Sequence, residues 1–496
     1  MDDELSRQER FLIICASLLA LFLGAMDALV MTAAMPTIVA ELGGIHLYAW
    51  VYSAYFLART ISLPIVGKLS DIYNTKTIFL VSIAVFLLAS LAAGGAPSMI
   101  FLVVARVFQG GGAGGIFALV YIILSDISLP EERAKTLSFA SAIWGISSII
   151  GPTLGAVIVT YFSWRWIFFI NVPLALLCFV GIGRYLRSNS HRKTDVHLDY
   201  GGLISLSGFI FCFITIFIIG GREYAWGSFE ILALSLLSGC FAVSFYFIEK
   251  SAKDPVIDLQ FFTIRNFTSG NIATFFSSFA IISLFAYAPL YIQGALGKTP
   301  MQVGGAMLSL SLGWSLGSLV LGRFVVGAGG KAASVFGAIL LIISSVMMLF
   351  FTIETSIITC LLVFFVVGVG MGFVTLSTLL MVQGSLSDEN LGVATSFHQF
   401  ARTLGGTVGV GIAGGILTTR LINNLETSSI SVPTVVMEKL LDSLENIFSS
   451  EFQALLEPET AMVLYKAVAQ SMVAVFWIVL VASIFSLVAT LLLRKE

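Results

Sequence analysis

The sequence predicts an all-α membrane protein, two six-helix bundles with two further membrane helices between them, and three observations predict it. Composition comes first: 58% hydrophobic residues, 11% charged ones and a mean hydropathy of +0.99 describe a chain solvated by lipid. Span length comes second. Apolar runs of about 20 residues or more, each able to cross roughly 30 Å of hydrocarbon as a helix, recur from Phe11 to Leu493, and about fourteen can be counted. Strand-like alternation in segments of about ten residues, which a membrane barrel needs, is absent. The third observation is an internal repeat that relates the two ends of the chain.

Along the chain the spans are read at 11–36, 47–69, 77–95, 99–124, 136–162, 165–186, 200–220, 228–249, 266–293, 302–325, 332–353, 357–385, 392–421 and 467–493. The first is a true span and not a signal peptide, because MDDELSRQER before it carries more acid than base and the apolar run is too long. Alternate connections hold the cations: Lys68 and Lys76; Arg133 and Lys135; Arg184, Arg187, Arg192 and Lys193; Lys250, Lys253 and Arg265; Arg323 and Lys331; Arg494 and Lys495. The opposite loops are poorer in Lys and Arg, so both termini are expected in the cytoplasm, which requires an even number of spans.

The repeat sets the domain organisation. GKLSDIYNTK at Gly67–Lys76 has a partner some 255 residues later in GRFVVGAGGK at Gly322–Lys331. Gly110, Gly112 and Gly114 match Gly368, Gly370 and Gly372, Glu131 matches Glu389, and Gly151 matches Gly409. The expected domains are 1–190, a six-helix bundle; 191–265, two inserted membrane helices and a linker; and 266–496, the second bundle. Parallel halves with a midplane cavity are the architecture of a transporter that rocks between two openings. Residues 254–266 read as a short amphipathic segment on the membrane surface, and 423–465 as an external insert with apolar residues at near-helical spacing, a lid or a plain surface helix.

Several classes are excluded. A net charge of −2 gives no basic stripe for nucleic acid. Cys15, Cys178, Cys212, Cys240 and Cys360 lack metal-ligand or disulfide-framework spacing and read as packing residues. GGGAGG from Gly110 satisfies G-x-G-x-x-G but lies inside a span with no βαβ unit around it. No Walker loop or metal cluster is visible, so ATP-driven pumping has no support, and the chain is read as a non-enzyme without cofactor.

The exception to the apolar pattern is Asp27. An unpaired charge near the bilayer centre costs on the order of 3 kcal/mol, so this carboxylate must be paired, protonated or wet. A rise of about 1.5 Å per residue puts Asp27, Arg59 and Arg106 at comparable depth, where they can meet. Such a group either moves protons or forms a static ion pair locking the first bundle; Arg59 is either a local counter-ion or a substrate contact.

The motifs resemble those of a known family. GKLSDIYNTK resembles the loop between spans two and three of the major facilitator superfamily, RVFQGGGAGG at Arg106–Gly115 its fourth-span motif, and GPTLGA at Gly151–Ala156 its antiporter motif. With MDALVMTAAMP, WRWIFFINVP and GVATSFHQFARTLGGTVGVGI, they look like the fourteen-span drug:proton antiporter family. The loop motif departs from the family pattern at Asn74-Thr75, where Gly-Arg is usual, and Ala156 stands where a second glycine is common.

The resemblance implies the major facilitator fold and several roles. Asp27 would bind the proton or a cationic substrate, with Arg106 as its partner. Asp71, with Gly67, Lys68, Lys76, Asp126, Glu131 and Arg133, would form a conformational latch, and pseudo-symmetry points Asp71 at the start of span eleven near Lys331. Gly151, Pro152 and Gly155 would form a close-packed, bendable antiporter face. His398, Gln399 and Arg402 share one face of span thirteen, and His398 is either a titrating group or a buried structural one. Met31, Trp50, Tyr55, Trp144, Phe275, Tyr287 and Tyr291 are candidate cavity walls for an amphipathic compound.

The expectation is a proton-coupled antiporter that exports amphipathic small molecules, cations included, and works as a monomer in the cell membrane. Export of a lipid or lipid-linked metabolite is the alternative, and a non-transporting receptor or assembly partner the third reading.

Overall fold

Serine, asparagine and aspartate side chains cap six of the described α-helices. Ser6 and Glu9 form a reciprocal capping box on the first, and Asn74, Ser98, Asp199, Ser228 and Ser356 each accept from a backbone N–H one turn ahead. Asn74, the departure from the family loop, accepts from the N–H groups of Lys76 and Thr77 and so starts the helix Thr75–Gly94.

The computed structural model describes residues 6–31, 34–43, 47–187, 199–221, 224–427 and 458–494. In chain order its α-helices are α1 (Arg7–Val30), α2 (Met35–Leu42), α3 (Tyr48–Ile72), α4 (Thr75–Gly94), α5 (Met99–Asp126), α6 (Pro130–Tyr161), α7 (Trp166–Phe169), α8 (Asn171–Tyr185), α9 (Tyr200–Ile219), α10 (Phe229–Ser251), α11 (Arg265–Gly294), α12 (Pro300–Ala328), α13 (Gly330–Met348), α14 (Ile357–Gly384), α15 (Leu391–Glu426) and α16 (Pro458–Leu491). The one bridge of strand type among the described residues joins Gly220 and Tyr224.

Twelve helical segments among the described residues are long and apolar enough to cross a membrane, so the fourteen spans expected are not supported by that count. The expected spans outside the set are α3, 25 residues long, and α6, 32 residues long. Apolarity fails in α3 because Arg59, Ser53, Ser62 and the tyrosines Tyr52 and Tyr55 interrupt it. Two ends also shift. The first helix stops at Val30 and a separate short helix starts at Met35, where Pro36 occupies the first turn, while the last helix begins at Pro458. Of the expected insert, residues 428–457 lie outside the described residues, as do Arg192, Lys193, Lys495 and the side chains of Pro152, Ala156 and Arg323.

The glycine repeat has a structural meaning. A Cβ on Gly110 would stand 2.2 Å from the backbone oxygen of Tyr55, and one on Gly368 would stand 2.1 Å from that of Leu310. So α5 lies backbone to backbone on α3, and α14 on α12, through matching small faces. Gly151 makes the same kind of contact between α6 and α1, where a Cβ would meet Leu29 Cβ at 2.9 Å.

Helices alternate in direction, which places the starts of α1, α4, α6, α9, α11, α13 and α15 and the end of α16 on one face, the terminal face. Contacts tie it together: Glu9 pairs with Arg187 at 3.2 Å, Lys331 Nζ donates to Leu491 O at 2.8 Å, and Arg265 Nε donates to Leu492 O. The segment before α11 turns through a short 3₁₀ helix, Leu259–Thr263, after Glu249 accepts from the N–H groups of Val256 and Ile257. On the opposite face the Glu41 carboxylate accepts from Trp164 Nε1 at 2.7 Å and Arg165 at 3.0 Å.

Candidate functional site

Asp27 lies in the last turn of α1, fully buried, and its partners come from two other helices. Arg106 Nη1 of α5 donates to Oδ2 at 2.7 Å, while Gln109 Nε2 at 2.9 Å and Asn171 Nδ2 at 2.7 Å donate to Oδ1. Arg106 also donates to Gln109 Oε1 at 2.8 Å and to Val51 O at 3.4 Å, and Gln109 to Ser90 Oγ at 2.8 Å. The Tyr55 ring covers the guanidinium at 4.0 Å, and its hydroxyl donates to Gly24 O. Removing one member of such a buried pair costs about 3–5 kcal/mol, because the other charge is stranded.

Arg59 is not a third member of this group. It sits one turn further along α3, with its guanidinium 3.7 Å from the Phe117 ring centre and 5.7 Å from that of Trp144. The depth estimate was out by one turn: Tyr55, on the same face of α3 and about 6 Å from Arg59 along the axis, takes the position against Arg106.

Beyond Arg59 opens a cavity of about 510 Å³ between the halves, in the usual range for a small-molecule site. Its wall includes Phe56, Arg59, Trp144, Phe217, Trp314 and Arg402. Asp27 and Arg106 are not part of it. The lining comes from the far ends of α1, α3 and α9 and the middles of α6, α11, α12 and α15, so the cavity occupies the middle and the half away from the terminal face. One wall is α9, an inserted helix that the repeat leaves out: a Cβ on Gly411 of α15 would stand 2.5 Å from Phe217 O.

On the terminal face the halves touch. Asp71 accepts from Gly392 N at 2.8 Å and Val393 N at 2.9 Å, which caps the buried N-terminus of α15. This corrects the expected partner: the helix is α15, not α13 with Lys331, because α3 packs across the interface on α15. Gly67 is pressed against Ser396 and Gly392, and Gln383 Nε2 of α14 donates to Ser125 Oγ of α5 at 2.8 Å. Arg133 donates to Ser125 O at 3.1 Å, whereas Glu131 faces outward and Lys76 contributes its backbone N–H to the Asn74 cap. Lys68 and Asp126 lie at the same face, at the ends of α3 and α5.

The other candidates divide. Trp144 and Arg402 line the cavity. His398 is buried, its Nε2 2.7 Å from Thr274 Oγ1 and 3.0 Å from Thr378 Oγ1, and Gln399 accepts from Arg402 at 3.3 Å. Met31 packs in a cluster near the opposite face, Trp50 against Ile216, Ile219 and Ile231, and Phe275 in the second half's core. Tyr287 and Tyr291 donate to Val410 O and Thr352 O from within that core and do not line the cavity. Gly155 is buried on α6 beside Gly151. Sequence reasoning missed Gln109 and Asn171; the signal was one amide a turn from Arg106 and another inside the quoted WRWIFFINVP.

A profile of the Major Facilitator Superfamily matches residues 17–410. The chain belongs to this superfamily. It is a multi-pass membrane transporter and not an enzyme. It is 31% identical over 425 residues to the multidrug transporter protein MdtP of Bacillus subtilis, covering 86% of this chain and 78% of that one. It is 32% identical over 417 residues to multidrug resistance protein 3 of the same organism, covering 83% and 80%. The efflux pump aflT of Aspergillus parasiticus is 26% identical over 495 residues, covering 98% and 95%. In fold the superfamily member resembles the human organic anion transporter MFSD10 (TETRAN), with a TM-score of 0.62 at 12% identity over 95% of this chain and 99% of that one.

Proposed function

We propose that this chain is a proton-coupled antiporter that exports amphipathic, drug-like small molecules by alternating access. The observation that carries the reading is a buried carboxylate–guanidinium pair, Asp27 and Arg106, set beside an aromatic-walled cavity and screened from it. Two relatives named for multidrug transport or resistance, each covering over three quarters of their length, support the cargo class. Proton entry neutralises Asp27, frees Arg106 from its strongest partner and so alters the charge against Tyr55 on α3. Proton loss restores the pair.

On this reading α3 and α6 also cross the bilayer, which gives fourteen spans in three units: 1–190, 191–265 and 266–496. The terminal face is cytoplasmic, the chain works as a monomer in the cell membrane, and the contacts of Asp71 and Gln383 belong to the state closed to the cytoplasm. A proton gradient supplies about 1.4 kcal/mol per pH unit, and the potential about 2.3 kcal/mol per charge per 100 mV.

The test uses proteoliposomes loaded with a pH-sensitive dye, comparing the native chain with Asp27→Asn. Drug-induced proton release by the native chain that disappears in the variant is the expected result. Equal substrate flux with equal proton release in both sinks the assignment of Asp27. Failure to move any of a drug panel, with flip of a fluorescent lipid instead, replaces the cargo by a lipid.

A further inference from the structure

Among the described residues the charges around the cavity do not balance. Arg59 comes from the first half and Arg402 from the second, and both guanidinium carbons stand over the same Trp144 ring, 5.7 Å and 5.5 Å from its centre. Arg402 lies also 4.9 Å from Trp314. No described carboxylate pairs with either: Arg59 makes no ion pair and its Nε has no hydrogen-bond partner, and Arg402 donates to the neutral amide of Gln399. The indole N–H groups of Trp144 and Trp314 are likewise buried without an acceptor.

Along each helix that lines the cavity the acids are distant, already paired or absent. On α1 the carboxylates are Glu9, at the terminal face, and Asp27, whose two oxygens are taken by Arg106, Gln109 and Asn171. On α3 the acid is Asp71, about 18 Å from Arg59 along the helix, and on α6 Glu131 and Glu132 are about as far from Trp144. α9, α11 and α12 carry no carboxylate, and Glu426 of α15 lies about 36 Å along the helix from Arg402. Two guanidiniums therefore face an apolar-walled space with no countercharge among the described residues, and Arg59, which is buried, carries a desolvation cost that a ligand's negative charge offsets.

We propose that the cargo is an amphipathic organic anion, its carboxylate or sulfonate held between Arg59 and Arg402 against Trp144 and its apolar body along Phe56, Phe217 and Trp314. This rests on the export reading for the word cargo, and on the cavity alone for the charge. It replaces the cationic substrate that a membrane carboxylate suggests, because that carboxylate is sequestered and the cations are the groups on display. An arginine also offers a planar, multidentate donor set that suits a carboxylate, and it cannot discharge itself by losing a proton.

The test uses the full chain in nanodiscs of zwitterionic lipid, reading energy transfer from tryptophan to three probes with one pyrene body: pyrenebutyrate, its neutral amide and the matching trimethylammonium, with empty discs subtracted. The expected result is a carboxylate affinity at least about tenfold above that of the trimethylammonium. Arg59→Gln and Arg402→Gln should each remove about tenfold of carboxylate affinity, leave the neutral amide within about twofold, and be rescued in part by Lys. Equal or tighter binding of the trimethylammonium overturns the proposal. So does an equal loss for all three probes, which marks the arginines as structural. A chain that selects the carboxylate in nanodiscs but moves no probe under an imposed proton gradient upholds the site and sinks the export reading; one that exports cations in exchange for protons does the reverse.

Discussion

The contact that holds the terminal face closed is small enough to remove cleanly. In Asp71→Ala the N-terminus of α15 loses a carboxylate that accepts at 2.8 Å and 2.9 Å from Gly392 and Val393. Two charge-assisted bonds in a half-buried setting, with the favourable charge–dipole interaction, amount to about 1–3 kcal/mol of bias between the two states after solvent competition. That converts to an opening equilibrium raised about 5- to 150-fold. Ser138 is buried where α6 meets Gly322 and makes its own hydrogen bond within its helix, so a cysteine there reports opening without cutting a contact between the halves. In a background with the five native cysteines replaced, the labelling rate of Ser138→Cys by a bulky maleimide should rise by that factor in Asp71→Ala, and by less in Asp71→Asn, which keeps one acceptor. An unchanged rate in a variant that melts at the native temperature would refute the claim that this cap closes the face.

Gly110→Ala should lower stability by about 1–3 kcal/mol, read as a fall in Tm, because the methyl would meet the Tyr55 backbone at 2.2 Å; Gly111→Ala, with nothing within 4 Å, is the neutral control. Glu41 lies outside the membrane helices, and its bonds to Trp164, first, and Arg165 hold its carboxyl below the usual carboxylate range. Its contribution is therefore present above the ordinary carboxylate pKa and lost as pH falls through the lowered one, so the hydrogen-exchange protection factors of residues 35–43 should fall in acid, and Glu41→Gln should remove that pH dependence. If one proton enters as one organic anion leaves, two positive charges move inward per cycle, worth about 4.6 kcal/mol per 100 mV. Export of pyrenebutyrate should then accelerate with a potential negative on the terminal side, and electroneutral flux would rule out this stoichiometry.

Depth was legible in the sequence to within about one helical turn. Helical rise alone put Asp27 level with Arg106, and they meet at 2.7 Å. The same arithmetic could not tell whether Tyr55 or Arg59 stands level with them, since residues four apart share a face about 6 Å apart in height. The glycine repeat announced which helices lie close, and Gly110 and Gly368 indeed occupy matching crossings. Contacts between the halves carry no such periodic signal. Asp71 on α15, Gln383 on Ser125 and Phe217 against Gly411 all depend on how one bundle is set against the other, which no local pattern encodes. That is also why the wall contributed by α9 was invisible: an apolar span outside the repeat reads as lipid-facing until its neighbours are known.

One helix joins the parts of the proposed cycle. Along its 25 residues α3 carries Tyr55 against Arg106, then Arg59 in the cavity wall, then Gly67 and Asp71 at the closed face. These stations fall about 6, 18 and 24 Å beyond Tyr55 along the axis, with Pro64 interrupting the backbone ladder between the cavity and the latch. Because Asp27 is walled off from the cavity, a proton and an anion do not compete for one group, and coupling has to pass through something that touches both sites. The face of α5 packed on α3 is stripped to glycine at Gly110 and Gly114, so α3 is held without interlocking side chains and can shift along that face as a rigid rod. A change of charge at Asp27 is then felt at Arg106, passed to Tyr55, and delivered by the same rod to the substrate's countercharge and to the cap that must break, which is what an exchange of proton for cargo requires.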